Sequence, residues 1–252
     1  MPRLLRVVPA LSLCRLPRLF FLLLLLTALQ WRTAETARAI DAQELFQRTG
    51  PSVVVVVGKN AAGRDVSLGS GFYVEDTLVV TNHHVVEKAS RVEIRQGQDA
   101  PVPVRRIRAL DKQNDLALLE VGKPGAPLPL KTSHPHVGEE ILAIGNPKGL
   151  ERTISPGIVS GLRKDPQQRI RYQITAPISP GSSGGPILDA GGNVIGLATF
   201  FVLDGQNLNF AVPSLYVEQL LGGRGGGGAP AGSRAGKRIE VMEDPSGVIT
   251  IK

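Results

Sequence analysis

The segment PGSSGGPIL, residues 180–188, places two serines among glycines and prolines directly before an apolar run. Glycine reaches backbone angles that other residues adopt only at a cost, and it lets other groups approach the main chain. A serine held in such a turn beside exposed backbone N–H groups can act as a nucleophile. The same composition is also typical of an ordinary solvated loop. This segment alone therefore leaves both interpretations open.

Two further segments carry side chains that could activate a serine. The pair His83 and His84 follows the apolar run TLVVTN, at the end of a predicted strand and before a predicted helical turn. Asp115 begins the apolar run DLALLEV, and Asp111, four residues earlier, competes with it. A serine hydroxyl needs a base that accepts its proton, and a carboxylate can orient that base. In isolation each residue also has an ordinary structural role, as a hydrogen-bonded strand end or a turn.

Taken in the order His, Asp, Ser with their flanks, these segments resemble the trypsin-like serine proteases, and more closely the protease domain of the HtrA family. The segments TNHHVV, DLAL and GSSGGP carry the resemblance, together with GNP, GIVS and NFAVP. The match covers roughly residues 45–220. It implies that His84 is the base, Asp115 its orienting carboxylate and Ser183 the nucleophile.

The same resemblance distinguishes the neighbouring residues and outlines a binding site. His83 falls where the family varies, and Ser182 replaces the family's usual Asn. The backbone N–H groups of Gly181 and Ser183 would face the oxyanion of the transition state. The base of the primary pocket would be Pro177, which carries no charge, so a small apolar pocket for aliphatic side chains is expected. Its opposing wall would come from Ala198, Thr199 and Phe200.

Two positions depart from the family's pattern near the serine. Thr175 stands in the place of a common Asp, in QITA, and Ser179 replaces a frequent Asn. These changes bear on the resting geometry of the loop that shapes the oxyanion site, and not on the type of reaction.

Many short strand-like runs separated by turn signals must position these residues. They include SVVVVVG, SGFYVED, LALLEV, NVIGLATF and NLNFAVP, and such spacing predicts an all-β barrel or sandwich. The expected architecture is two six-stranded antiparallel β-barrels of the chymotrypsin type, at about residues 50–125 and 132–212, with the active site in the cleft between them. A short C-terminal helix begins at SLYVEQLL, with Ser214 as its expected N-cap and Gly222 as its stop.

Charge and composition narrow the function classes. The chain has 252 residues and a formal net charge of +7. Six arginines lie in residues 1–39, which leaves 23 basic against 21 acidic residues in the rest. A nucleic-acid partner is therefore not expected, and the run 105–108, RRIR, is interpreted as a solvated strand face. Cys14 is the single cysteine, so no disulfide and no thiolate metal site is expected. A serine protease of the kind that the motifs resemble is also expected to need no metal or cofactor.

The N-terminal residues 1–39 have the order of a secretory signal peptide. An Arg-rich start precedes an apolar core at 19–29 and the small-residue site Ala-Arg-Ala at 37–39. Eleven helical residues rise about 16 Å, which is too short for a hydrocarbon layer of about 30 Å. An uncleaved membrane anchor within residues 11–31 is the alternative. Either way, we expect an exported protein, periplasmic, secreted or anchored to the membrane.

The protease domain is expected at residues 40–222, followed by a Gly-rich linker at 223–237 and a tail at 238–252 that could close as a β-hairpin. Most HtrA proteins continue into a PDZ domain, for which the remaining 30 residues are too few. The resemblance leaves the family's usual homotrimer open. It implies an endopeptidase acting on unfolded or damaged protein segments in quality control. The alternative is a catalytically silent module that binds peptides in the same cleft.

Overall fold

A computed structural model describes residues 41–97, 99–145, 153–165, 167–199, 208–223, 241–243 and 249–251. The predicted signal segment at 1–39, nearly all of the predicted linker, and Phe200 lie outside these residues. Within the described ranges, no helix has both the length and the apolar character needed to cross a bilayer.

Six antiparallel strands close into a first barrel. They are β1 (Val53–Lys59), β2 (Asp65–Glu75), β3 (Leu78–Thr81), β4 (Arg91–Arg95), β5 (Val102–Asp111) and β6 (Leu116–Val121), in the spatial order β1-β2-β3-β6-β5-β4. Five consecutive valines form most of β1, and all of them are buried. Val54 and Val56 point into the barrel, whereas Val53 joins a second cluster between the barrels. This burial on both faces explains why β1 is an unbroken β-branched run.

A second closed barrel of six antiparallel strands follows. Its strands are β7 (Glu140–Gly145), β8 (Thr153–Lys164), β9 (Ile170–Ile174), β10 (Pro186–Leu188), β11 (Val194–Thr199) and β12 (Asn209–Pro213), in the order β10-β11-β12-β9-β8-β7. Tyr172 and Ile187 are among the fully buried residues that fill it. The predicted fold class, two six-stranded antiparallel barrels of the chymotrypsin type, is confirmed.

One apolar cluster joins the two barrels and the C-terminal helix. Phe72 and Leu118 from the first barrel meet Leu142 and Leu197 from the second in this cluster. Helix α3 (Ser214–Leu221) adds the buried Val217 and Leu220 to it. Because each barrel buries apolar side chains on the other, the cleft between them has a fixed geometry. The other helices of the described residues are α1 (Ala42–Thr49), followed by a 3₁₀ turn (Gly50–Ser52), and α2 (His83–Val86).

The start of helix α3 differs from the expectation. The sequence predicts Ser214 as the N-cap, but it is the first helical residue, Pro213 precedes it as the cap, and no side chain caps the helix. The Ser214 hydroxyl instead donates a hydrogen bond to the Lys131 carbonyl, in the segment between the barrels. A distant carbonyl acceptor has therefore taken the place of the local N–H donor that an N-cap hydroxyl would bind. The helix ends at Gly222, as predicted.

The C-terminal tail contains two short strands, β13 (Val241–Glu243) and β14 (Ile249–Ile251). They pair antiparallel as a separate two-stranded sheet, with Met242 opposite Thr250. Strand β14 lies against β8 of the second barrel.

Candidate active site

His84 and Asp115 meet at one end of the first barrel. His84 lies in helix α2, directly after β3, and Asp115 directly precedes β6, which pairs with β3. His84 Nδ1 lies 2.8 Å from Asp115 Oδ2, and the backbone N–H of His84 donates to Asp115 Oδ1 at 2.9 Å. The carboxylate therefore contacts both the ring and the main chain of His84. The side chain of His84 is 43% exposed.

The backbone of Asp115 adopts an unusual conformation, with φ at 60°. A non-glycine residue takes this left-handed region only when its surroundings compensate the cost. Here the Asp115 carbonyl accepts hydrogen bonds from Asn82 Nδ2 at 2.9 Å and from His83 N at 3.1 Å. The competitor Asp111 is buried elsewhere, where its carboxylate accepts two hydrogen bonds from Asn114. The structure thus brings Asp115, and not Asp111, to His84.

The serine segment forms a tight turn before β10. Gly181 and Gly184 have φ values of 99° and 87°, which glycine adopts readily and other residues rarely do. A Cβ on Gly184 would overlap the Ser70 carbonyl oxygen and lie 2.5 Å from Thr81 Oγ1. The glycines of the motif are therefore required by the turn itself and by the close approach of the first barrel. Ser183 is buried within this turn.

Two hydrogen bonds join the serine turn to the first barrel. The backbone N–H of Ser70, in β2, donates to the Ser183 carbonyl at 2.7 Å. The Ser70 hydroxyl donates to the Gly181 carbonyl, also at 2.7 Å. A Cβ on Gly69 would meet the Ser183 carbonyl oxygen at 3.0 Å and the side chain of Val85, the residue after His84. The backbone of Ser183 therefore lies beside the helix that carries His84.

The backbone donors of the serine turn and the hydroxyl of Ser183 have the following partners. Neither Gly181 N–H nor Ser183 N–H donates to an acceptor among the described residues. Between Ser183 Oγ and His84, both within the described part of the chain, no hydrogen bond is formed. Such bonds are often long in the absence of substrate and shorten in its complex.

The residues predicted for the primary pocket lie in different places. Pro177 and Ala198 line a cavity of about 110 Å³ beside the serine turn. Thr199 does not line it, since its hydroxyl donates to Asp115 Oδ2 at 3.2 Å. The cavity is also less apolar than expected, because four hydroxyl side chains line it, those of Thr153, Ser155, Ser179 and Ser182. The described residues hold no group of His, Cys, Asp and Glu side chains suited to a metal ion.

The two departures from the family pattern have defined contacts. Thr175 Oγ1 accepts a hydrogen bond from Ile158 N at 2.9 Å, which connects the end of β9 to β8. The Ser179 carbonyl accepts a hydrogen bond from Ser182 N at 2.8 Å, inside the serine turn. Both residues therefore take part in the local structure that leads to Ser183.

Sequence reasoning misses two residues near the site. Ser70 lies in strand β2 outside any of the recognised motifs, and its partners in the serine turn, Gly181 and Ser183, are 111 and more residues away. The resemblance assigns Thr199 to the pocket, and only the folded structure shows that it binds Asp115. Asn82, in contrast, belongs to the motif TNHHVV, so a local signal for it exists.

A two-barrel fold with His84, Asp115 and the serine turn at the barrel junction defines a chymotrypsin-like serine protease domain. The profile of the trypsin-like peptidase domain matches residues 69–197. HhoA of Synechocystis sp., named as a serine protease, is 36% identical over 183 residues, which are 68% of this chain and 45% of that protein. The chain belongs to the HtrA family of trypsin-like serine proteases.

Two further comparisons agree with this assignment. A protein of Chlamydia trachomatis, named as a DegP-like periplasmic serine endoprotease, is 34% identical over 168 residues, or 63% of this chain and 34% of that protein. The active form of the Rv3671c protease of M. tuberculosis superposes with a TM-score of 0.66 at 27% identity, over 77% of this chain and 91% of that one. The chain spans less than half the length of the two curated relatives.

Proposed function

We propose that this protein is a serine endopeptidase in which Ser183 is the nucleophile, His84 the general base and Asp115 the residue that orients His84. The observation that carries the proposal is the pair of contacts between Asp115 and His84, at 2.8 and 2.9 Å, beside a serine turn held by Ser70. With Nδ1 of His84 bound to the carboxylate, Nε2 is left unprotonated and free to accept a proton.

The reaction follows from these positions in two stages. As Ser183 Oγ attacks the carbonyl carbon of the substrate peptide bond, its proton passes to His84. The oxygen of the tetrahedral intermediate gains negative charge, which the N–H groups of Gly181 and Ser183 stabilise. His84 then returns the proton to the leaving amine, and the acyl group stays on Ser183. A water molecule, activated in the same way by His84, releases the acid and restores the enzyme.

The substrates we infer are unfolded or damaged protein segments. A cleft between two barrels accepts an extended chain, and the cavity lined by Pro177 and Ala198 offers a place for one small side chain. Among the described residues, its lining contains no charged side chain, which argues against a preference for lysine or arginine. The similarity to a protein named as a periplasmic endoprotease supports an exported location. The role in protein quality control that we propose rests on the family resemblance alone.

Active-site labelling tests this function directly. A fluorophosphonate probe should label the wild-type protein on Ser183, and Ser183→Ala should abolish labelling and lower casein degradation by about 10⁴- to 10⁶-fold. Ser90→Ala, at an exposed serine in the turn before β4, is the matched control and should behave as the wild type. Equal degradation by the wild type and Ser183→Ala would refute the proposal. Peptide binding without cleavage by either would instead support the catalytically silent module.

A further inference from the structure

A buried arginine lies at the junction of the two barrels and the C-terminal helix. Arg171, in β9, has a side chain that is only 4% exposed. Removal of its charge from water lowers the pKa of its guanidinium. Arg171 Nε has no hydrogen-bond partner among the described residues. An arginine rarely occupies such a position unless its charge or its fork of N–H donors is used.

The donors of Arg171 are directed at the first barrel. Nη2 donates to the carbonyl of Gln113 at 3.4 Å, and Nη1 donates to Oδ1 of Asn114 at 3.5 Å. Nη1 also donates to the carbonyl of Ile170, in the second barrel, at 3.1 Å. The guanidinium also lies 5.9 Å from the ring centre of Tyr216 on α3. Arg171 therefore connects the second barrel and the C-terminal helix to a loop of the first barrel.

A second arginine reinforces the same contact. Arg169 Nη1 also donates to the Gln113 carbonyl, and its Nε binds Asp165 Oδ2 at 2.6 Å. Asp165 Oδ1 accepts hydrogen bonds from Gln167 N at 3.0 Å and Arg169 N at 2.9 Å, which order the turn between β8 and β9. Two guanidinium groups thus converge on one carbonyl oxygen of the first barrel.

The segment they hold leads directly into Asp115. Asp111 binds Asn114 from within the first barrel, through Asn114 N at 2.9 Å and Asn114 Nδ2 at 2.8 Å. Asn114 is therefore fixed from both sides, by Asp111 and by Arg171. The next residue is Asp115, whose φ of 60° has to be maintained by its surroundings. The positive charge of Arg171 also attracts the Asp115 carboxylate.

We propose that Arg171 is a positioning residue that holds Gln113 and Asn114 so that the carboxylate of Asp115 stays on Nδ1 of His84. The inference rests on the proposed function, because it assigns Arg171 to the same reaction, without contact to substrate. This positioning role also explains why Arg171 is buried, because its guanidinium has to reach the loop that precedes Asp115. The orientation of Asp115, a residue of the first barrel, then depends on correct docking of the second.

Kinetics with Arg171→Met and Arg171→Lys tests the proposal. For Arg171→Met we expect kcat on a peptide substrate to fall by about 10- to 100-fold, with KM within about twofold, because a misplaced base slows chemistry more than binding. Arg171→Lys, which keeps the charge, should recover part of kcat. Arg95→Met is the matched control, since Arg95 binds Glu93 and Asp65 on the first barrel. Folded Arg171→Met with a wild-type kcat would overturn the proposal.

Proton NMR separates this inference from the proposed function. In the Ser183→Ala background, which requires no catalysis, the hydrogen-bonded Nδ1 proton of His84 should give a far-downfield resonance. We expect Arg171→Met to shift or broaden it and Arg171→Lys to do so less. An unchanged resonance in folded Arg171→Met overturns the positioning role, whatever the activity of Ser183→Ala. If Arg171→Met does not fold, the same two measurements on Arg171→Lys decide, with wild-type values for both overturning the proposal.

Discussion

The hydroxyl of Ser70 donates a 2.7 Å hydrogen bond to the carbonyl oxygen of Gly181, across the junction of the two barrels. Ser70 N donates to the Ser183 carbonyl in the same way. The first barrel therefore provides His84 and also determines where the serine turn of the second barrel lies. Strand β2 therefore contacts both the serine turn and the helix that carries His84.

Loss of the Ser70 hydroxyl should reduce activity more than stability. In Ser70→Ala the Gly181 carbonyl loses its partner, and we expect kcat/KM to fall by about 10- to 100-fold as the oxyanion donors shift. Thr49→Val is the control, because it removes a buried hydroxyl bond of 2.7 Å to Leu45 O in helix α1. Both changes should lower the free energy of unfolding by about 1–3 kcal/mol. Equal kcat/KM values for the two variants would contradict this prediction.

Alanine at Gly184 should destabilise the fold strongly. The residue has a φ of 87°, and a Cβ there would meet backbone and hydroxyl oxygens of the first barrel, so we expect a loss above about 3 kcal/mol. Gly138→Ala separates strain from overlap, because Gly138 has a φ of 92° and a Cβ added to it would have no neighbour within 4 Å. It should cost about 1–2 kcal/mol. Urea denaturation measures both, and similar losses would show that overlap is unimportant.

The hydroxyl of Thr199 should contribute to the rate through Asp115. Thr199→Val keeps the shape of the side chain but removes the 3.2 Å hydrogen bond to Asp115 Oδ2, and we expect kcat to fall by about tenfold. Thr199→Ser retains the hydroxyl and should recover most of kcat. Steady-state kinetics on one peptide substrate compares the three proteins. If Thr199→Ser were as slow as Thr199→Val, packing and not hydrogen bonding would be the cause.

Acid should weaken the second barrel through Asp189. Burial raises the pKa of this carboxyl, but hydrogen bonds from Asn193 and Lys131 lower it more, so it ends below its ordinary value. A lowered pKa gives stability that is present above about pH 4 and is lost as pH falls through the folded pKa. Asp189→Asn should therefore differ most from the wild type in unfolding free energy at pH 7 and progressively less below about pH 4. A difference that is constant from pH 7 to pH 3 would contradict this.

The C-terminal strands should stabilise the second barrel, because β14 lies against β8. Deletion of residues 238–252 should lower the melting temperature by about 2–4 °C for each kcal/mol lost, or change the assembly. Deletion of residues 224–230 shortens the predicted linker, keeps both strands, and serves as the control. An unchanged melting temperature and an unchanged mass by light scattering would count against the prediction.

Local patterns predict most of the fold. The valines of β1 and the Gly stop after α3 are each explained by neighbours in sequence. The exception is Ser214, predicted as an N-cap, because its acceptor Lys131 O is 83 residues away. The preference of serine for the N-cap position is overridden here because the hydroxyl forms a buried hydrogen bond to a distant carbonyl.

The sequence by itself determined which residue types are present and in what order: a histidine after β3, an aspartate before β6, and a serine among glycines that only a tight turn requires. The motif DLAL had already indicated Asp115 rather than Asp111 as the partner of His84. Tertiary structure alone decided that Thr199 hydrogen-bonds to Asp115 and that Ser70 and Arg171 reach across the barrel junction. The physical reason is that motifs reflect backbone constraints within a few residues. Contacts between the barrels depend on how two closed sheets pack against each other, and no short segment of sequence determines that packing.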